Sequence, residues 1–293
     1  MSETDTRGQQ RAPGRRRAPG RSGARGQQLW PVHVVLAIGA AAMVAPFFWQ
    51  LLTSLQTFGE ATSVPPTFRP GWHWENYSAV FRSTPFLAQF GNTVVITVVR
   101  VLAQLLFCSM AGYAFARLRF PGRNALFLVV LSVLMVPSQL YLLPQYQMVM
   151  HLGLLNTLGG IVLPGLFSAF GTFMLRQFFL SLPRDVEEAA RLDGAGPVRV
   201  FWSVMLPLAK PGLISLGVLT VLWSWNDLLW PLVVTDDAAR MPLSVGLAAL
   251  QGEHVTDYPV LMAGSLLASL PMIVMFLVAQ RRITEGIAFT GSK

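Results

Sequence analysis

The chain carries 293 residues, 53% of them hydrophobic and only 12% charged, with a formal net charge of +8. A soluble domain typically holds about 25% charged residues, so this composition excludes a water-soluble globular enzyme and places the chain in a lipid bilayer. Its single cysteine, Cys108, falls in an apolar segment and excludes an intramolecular disulfide.

Residues 1–28 are rich in Arg, Gly and Pro, have little apolar surface to bury and read as a disordered tail. Arg-rich segments bind nucleic acid or anionic lipid. At the head of a membrane chain the reading is a topology anchor resting on headgroups, with no nucleic-acid partner. A helix crossing the roughly 30 Å hydrocarbon layer needs about 20 mostly apolar residues. Gaps in the charge pattern locate six such spans, at about 29–52, 90–115, 125–147, 157–178, 211–235 and 258–280.

The first span lies in the charge-free run from Gly26 to Gly59. Ala40 and Ala42 offer an A-x-A signal-peptidase site, but the apolar run continues past them to Leu52, as a span does. The second span contains only Arg100. From Asn124 to Leu175 there are 52 residues without a charge, and at about 1.5 Å per residue one helix of that length overshoots a bilayer. The expected turn is HLGLLNT, His151–Thr157, where Gly and Asn permit it. The fifth span contains only Asp227, and the sixth has no charge.

Of the 22 Lys and Arg residues, 18 fall in the tail, in the loop of Arg117, Arg119 and Arg123, between Arg176 and Lys210, and after Gln280. These segments alternate onto one side, which the positive-inside rule makes cytoplasmic, and both termini with it.

The loop at 182–210 contains EEAARLDGAGPVRVFWSVMLP, Glu187–Pro207. Pro183 suits a first helical turn, and Asp185, Glu187 and Glu188 favour a helix N-terminus electrostatically. Gly194 reads as a helix stop. A second helix then carries Val198, Phe201, Trp202 and Met205 at helical spacing, and Pro207 is expected to end it. The hairpin so formed either docks on a partner, lies on the membrane surface or packs on its own bundle, and periodicity leaves these alternatives open.

Asp227 is expected to face the bundle interior or water, because a carboxylate in lipid is costly. Arg100 is the opposite charge on another span and a possible mate. Trp223, Trp225 and Asn226 beside Asp227 combine aromatic faces with amide hydrogen bonds, a set suited to a sugar on the translocation pathway. The alternative is an outer-interface position, with the Trp residues in the aromatic belt.

His33, His73, His151 and His254 have no metal-ligand spacing, and no catalytic constellation is present. The C-terminal Gly286-x4-Gly291-Ser292-Lys293 reverses the Lys-Ser order of a phosphate-binding loop and lacks its following helix. Any ATPase is therefore expected on a partner.

Glu188-Ala189-Ala190, Asp193-Gly194-Ala195, Phe201 and Pro207 resemble the EAA loop of permease subunits in bacterial ATP-binding-cassette importers. AGYAFARLRFPGR (Ala111–Arg123), LGLLNT (Leu152–Thr157), WSWNDLLWPL (Trp223–Leu232) and QRRITEG (Gln280–Gly286) are similar to the shorter permease of maltose-type systems, although the usual GAVKG-like ending is replaced here by TGSK. The resemblance implies an all-α integral membrane protein of the type I importer (MetI-like) fold, with a transmembrane permease domain at 29–293 and a coupling helix docking on a cytoplasmic ATPase. It implies import of a mono- or oligosaccharide, with other solutes such as a polyol or glycerol phosphate as alternatives, and a polytopic membrane enzyme as the reading from another class. It further implies as partners a second permease, two ATPase subunits and an extracytoplasmic binding protein, with ATP and Mg used by the ATPase and no cofactor on this chain. In such systems the longer permease makes most sugar contacts, and this subunit forms wall and gate. The outer loop from Asp236 to Asp257 resembles the one that reaches into the binding protein, with Gly252 and Glu253 at its tip.

Overall fold

The computed structural model describes residues 30–69, 71–252 and 255–288, with backbone alone at 279 and 281–288. The expected tail at 1–28, Glu253 and the TGSK ending lie outside the described residues. Among the described residues every regular element is helical: α1 (Trp30–Ser54), α2 (Phe58–Ala61), α3 (Glu75–Ser83), α4 (Phe86–Arg117), α5 (Arg123–Ser132), α6 (Leu142–His151), α7 (Leu158–Val162), α8 (Ala169–Ser181), α9 (Arg184–Leu192), α10 (Pro197–Val200), α11 (Leu206–Leu208), α12 (Lys210–Trp225), α13 (Leu229–Val234), α14 (Leu243–Ala249) and α15 (Tyr258–Ala288). Short 3-10 turns occupy Val133–Met135, Ser138–Tyr141 and Leu163–Gly165, and a π turn spans Phe201–Met205.

The chain divides into two units between Trp49 and Gln50. The described part of the first is the helical stretch from Trp30 to Trp49, whose Val35, Leu36, Ile38, Met43, Val44 and Phe48 are exposed, an apolar surface suited to lipid.

The second unit is built around α4, which packs along α8 and α12. Three small apolar cores are strung along it. Phe86 joins Val80, Leu243 and Val260 at one end, Ile96 joins Ile161, Val149 and Trp230 in the middle, and Cys108 with Tyr113 joins Leu175, Phe179 and Phe201 at the other.

Three helices, Trp30–Ser54, Phe86–Arg117 and Tyr258–Val278, are long and apolar enough to cross a membrane alone. The remaining apolar length is broken. The expected span at 125–147 instead turns by 99° between Met135 and Ser138. Pro137 is the cause, since it supplies no N–H and holds Val136 extended at φ −93° and ψ 121°. The expected span at 157–178 bends by 41° between Gly165 and Ala169, and there Ser168 caps α8 by accepting the Gly171 N–H at 3.0 Å. The expected span at 211–235 is interrupted at residues 226–228. At about 1.5 Å per residue, α12 alone covers about 24 Å, short of the hydrocarbon layer.

The turn at His151–Thr157 stands where Gly and Asn led it to be expected. Gly153 and Asn156 both have positive φ, 68° and 57°. Asn156 also ties this turn to the start of the outer loop: its N–H donates to the Val234 carbonyl at 2.9 Å, its Oδ1 accepts the Asp236 N–H at 2.8 Å, and its own carbonyl accepts from Arg240 at 2.7 Å. Asn156→Ala is expected to lose both the side-chain acceptor and the left-handed backbone preference, about 2 kcal/mol together, whereas Asn156→Gly loses only the acceptor, about 1 kcal/mol. Thermal unfolding in detergent measures both, and equal shifts for the two variants would remove the backbone contribution.

Candidate functional site

Two regions concentrate polar chemistry. The first is the hairpin of α9 and α10. Pro183 precedes α9, and Asp185 and Glu187 stand in its first turn, where the macrodipole favours them. Beyond Asp193 the chain reverses at Gly194, whose φ of +82° is open to glycine at no steric cost. The Gly194 and Ala195 N–H groups return to the carbonyls of Arg191 and Ala190, both at 3.0 Å, closing α9. Gly196 then caps α10, and Pro197 begins it.

The two adjacent glutamates of this hairpin have opposite fates. Glu187 is buried. Its Oε1 accepts from Arg191 at 2.6 Å, its Oε2 lies 3.6 Å from Arg117 Nε, and the Tyr113 hydroxyl donates to it at 3.4 Å. Arg117 in turn donates to the carbonyls of Phe179 and Leu182, each at 2.6 Å from Nη2. One guanidinium thus joins the end of α4, the end of α8 and the start of the hairpin. Glu188 is exposed, as are Ala189, Asp193 and Gly194.

The expected apolar face of the second helix is divided. Val200, Phe201 and Met205 are buried in the core that holds Tyr113 and Phe179, with the Phe201 ring 5.2 Å from that of Tyr113. Val198 and Trp202 point outward at 71% and 48% exposure. Phe201 therefore fastens the hairpin to its own bundle, while Val198, Trp202 and Leu192 make its outer apolar surface. Pro207 does not end the helix. It lies inside α11, and the chain breaks at Ala209 and bends 75° into α12. Proline fits there because its position is the first turn of a new helical segment.

The second region is a polar seam on α4. Thr93, Thr97, Arg100 and Gln104 recur at helical spacing and are all buried. Arg100 Nη1 pairs with Asp227 Oδ2 at 2.8 Å, and its Nη2 donates to the Ile161 carbonyl at 2.6 Å. Gln104 donates to the Gly165 carbonyl at 2.8 Å and accepts from Thr220 at 3.0 Å. Thr97 donates to Ser224 at 3.2 Å, and Cys108 to the Ser168 carbonyl at 3.4 Å. Gly165 leaves room for the guanidinium, since a Cβ there would lie 2.5 Å from Arg100 Nε.

The residues of WSWND separate. Trp225 is committed inward, donating Nε1–H to the Ala268 carbonyl at 3.1 Å with its ring edge-on to Phe90. Asp227 is held by Arg100, and its carbonyl accepts from Ser244 at 2.6 Å. Trp223 stays half exposed beside Phe170, and Asn226 is exposed with its amide on the Leu222 carbonyl. Gly252 is exposed at φ +60° at the far end of the outer loop, and Glu253 is outside the described residues. Arg117, counted from the sequence only for topology, and Tyr113, Gln104 and Trp230 were given no site role there. The first two sit in the quoted AGYAFARLRFPGR, and the polar positions of α4 recur every three or four residues through an apolar helix, a signal that marks an interior face.

Arg100→Ala or Asp227→Asn alone is expected to leave a buried group unpaired, at a cost of about 3–5 kcal/mol, and the two together to recover part of it. Gly165→Ala is expected to be harmful in the native chain and nearly neutral on Arg100→Ala. Yields of monodisperse protein in detergent measure the cycle, and additive losses would dissolve the linkage.

Residues 30–283 match the family described as binding-protein-dependent transport system inner membrane component. The arabinooligosaccharides transport system permease protein AraQ of Halalkalibacterium halodurans is 40% identical over 204 residues, 70% of this chain and 73% of that protein. The diacetylchitobiose uptake system permease protein NgcG of Streptomyces coelicolor is 34% identical over 260 residues, 87% of this chain and 86% of that one. The sn-glycerol-3-phosphate transport system permease protein UgpE of Yersinia pestis is 32% identical over 264 residues, 87% and 94% of the two chains. Among solved structures, a chain of a bacterial ABC transporter involved in import of the acidic polysaccharide alginate superposes with a TM-score of 0.76 at 25% identity, covering 90% of this chain and 99% of that one. A chain of the inward-facing MetNI methionine ABC transporter shares the fold at a TM-score of 0.53 and 18% identity, covering 69% of this chain and 95% of its own. Matched through nearly all of its helical length and folded in the same way, the chain belongs to the inner membrane components of binding-protein-dependent transport systems, and is a transport permease of the MetI-like fold rather than an enzyme.

Proposed function

We propose that this chain is one of two different permease subunits in an importer for a sugar or short oligosaccharide, delivered by an extracytoplasmic binding protein and driven by two cytoplasmic ATPase subunits. The observation that carries the coupling part is the division of labour in the hairpin. Glu187 and Phe201 fasten it to α4 and α8, whereas Glu188, Leu192 and Val198 are left exposed for a partner. An exposed carboxylate flanked by apolar side chains suits a cleft with a basic group, and a charge-assisted bond there resists slipping. Closure of the ATPase pair around ATP and Mg would carry the hairpin with it, and Arg117 would pass that displacement to α4 and α8 as one body.

The sugar class is supported by the names of the arabinooligosaccharide and diacetylchitobiose relatives. The glycerol-phosphate relative keeps a phosphorylated polyol as the alternative, and direct binding to the associated binding protein separates the two. Trp223 and Asn226 are the residues of WSWND with surface left for a solute, and Trp225 and Asp227 act as wall and brace. The charge asymmetry supports cytoplasmic termini, with the hairpin on the same side and the loop around Gly252 and Glu253 outside, where it would meet the binding protein.

Glu188→Lys and Val198→Asp are expected to leave the chain in the membrane with its partner permease, to weaken ATPase retention about tenfold or more, and to stop uptake. Phe201→Asp is expected to lower the folded yield of the chain itself. With Cys108 replaced by Ser, cysteines at Val64 and Val255 should react with an impermeant thiol reagent on intact cells, and one at Gly196 should not. Full ATPase retention by both outward variants would sink the coupling role, and labelling at position 196 would invert the topology.

A further inference from the structure

A cleft of about 1120 Å³ opens between the corner joining α4 to α5 and the hairpin. Its walls carry Arg117, Arg119 and Arg123 from the corner and Arg184 and Arg191 from α9, against only two carboxylates, Glu187 and Glu188. The charges are not mutually satisfied. Glu187 is taken by Arg117 and Arg191 on the floor. Arg123 spends one N–H on the Leu118 carbonyl at 3.1 Å. Arg119 and Arg184 are exposed, one on each wall, with no hydrogen bond or ion pair among the described residues. The cleft thus has a positive excess of three, five arginines less two glutamates, and two free guanidinium forks suited to bidentate binding of a phosphate or carboxylate.

The surroundings narrow the choice of anion. The wall at Arg123–Ala125 is the first turn of α5, and the same helix continues with Leu126, Leu128 and Val129, all more than half exposed. An anion held here lies at the foot of an apolar, outward-facing helix that forms part of a bent pair long enough to enter a membrane. A ligand that carries its negative charge on a headgroup and its apolar part on a chain alongside meets both surfaces, and basic clefts at the cytoplasmic ends of helices suit anionic lipid headgroups.

We propose that this cleft binds the phosphodiester headgroup of an anionic phospholipid, with Arg119 and Arg184 as its principal ligands and the acyl chains along α5. The bound lipid bridges the α4–α5 corner to the hairpin and so fixes the resting position of the coupling element against the membrane. This rests on the reading that the hairpin end of the bundle lies at the cytoplasmic surface, which the cysteine-labelling experiment tests separately.

The test uses the whole importer complex, purified in mild detergent after incorporation in nanodiscs of phosphatidylcholine with or without phosphatidylglycerol, and native mass spectrometry of lipid retained on the permease. The native complex is expected to retain phosphatidylglycerol and not phosphatidylcholine. The double substitution Arg119→Gln with Arg184→Gln is expected to lower that retention about tenfold or more, while Arg119→Lys with Arg184→Lys keeps most of it and shows that charge, not folding, is at issue. Inorganic phosphate is expected not to displace the lipid. Equal retention by the native and Gln-substituted complexes overturns the proposal. So does displacement by inorganic phosphate, which would make this a bare anion site. Loss of the ATPase subunits from the Gln-substituted complex with lipid retention intact also overturns it, since the cleft would then be a protein contact. Should Glu188→Lys keep its ATPase while lipid retention still depends on Arg119 and Arg184, the coupling role fails and the lipid site stands.

Discussion

Broken helices in an apolar environment release backbone carbonyls that have no water to turn to, and each left unpaired costs several kcal/mol. The fold depends on meeting that constraint. The C-terminal end of α7 and the segment that joins it to α8 free their carbonyls in the middle of the chain, and donors arrive from the sides: Arg100 on Ile161, Gln104 on Gly165, Cys108 on Ser168 and Trp230 on Gly160. Three of the four come from one face of α4. The polar seam is therefore the counterpart of the break, and the continuous helix and the discontinuous one require each other. Arg100 brings a charge with its donors, and Asp227, placed at the second interruption, answers it.

The same economy of donors operates at the hairpin end. Arg117 stands at the last residue of α4, where a cation favours the helix C-terminus, and spends its N–H groups on the closing carbonyls of α8 before it meets Glu187. One planar group thus binds the end of α4 to the end of α8 and to the hairpin that follows it in the chain. Tyr113, Phe179 and Phe201 pack together immediately behind it, which suits the proposed coupling role of α9. A packed inner face behind an exposed outer one is the arrangement that the proposed transmission of motion needs.

Much of this was legible in the sequence. Composition and the charge gaps led to an all-helical membrane chain, and Gly194, Gly153 and Asn156 marked reversals that the backbone adopts with positive φ. The opposite charges Arg100 and Asp227 could be named as possible mates because a membrane interior leaves a charge few alternatives. The breaks were not legible. A charge-free apolar run looks the same whether it is straight or bent, and the bend at Pro137 competes with the tolerance of membrane helices for proline. The split between Glu187 and Glu188 was also hidden, since neighbouring residues on a helix differ by about 100° in direction and only the position of α4 decides which one is buried.

The π turn at Phe201–Met205 bears on that last point. Phe201, Met205 and Ala209 are each four residues apart and all nearly fully buried. In a regular α-helix a four-residue step overshoots one turn by about 40°, so two steps would carry the third side chain about 80° away from the first. The wider ring of the π turn takes back part of that rotation and keeps the three in a single file against the core. The hairpin's inner face is thus written with a period of four, which a pattern at 3.6 misreads, and the π turn is what lets Phe201, Met205 and Ala209 share one face while Val198 and Trp202 stay outside it.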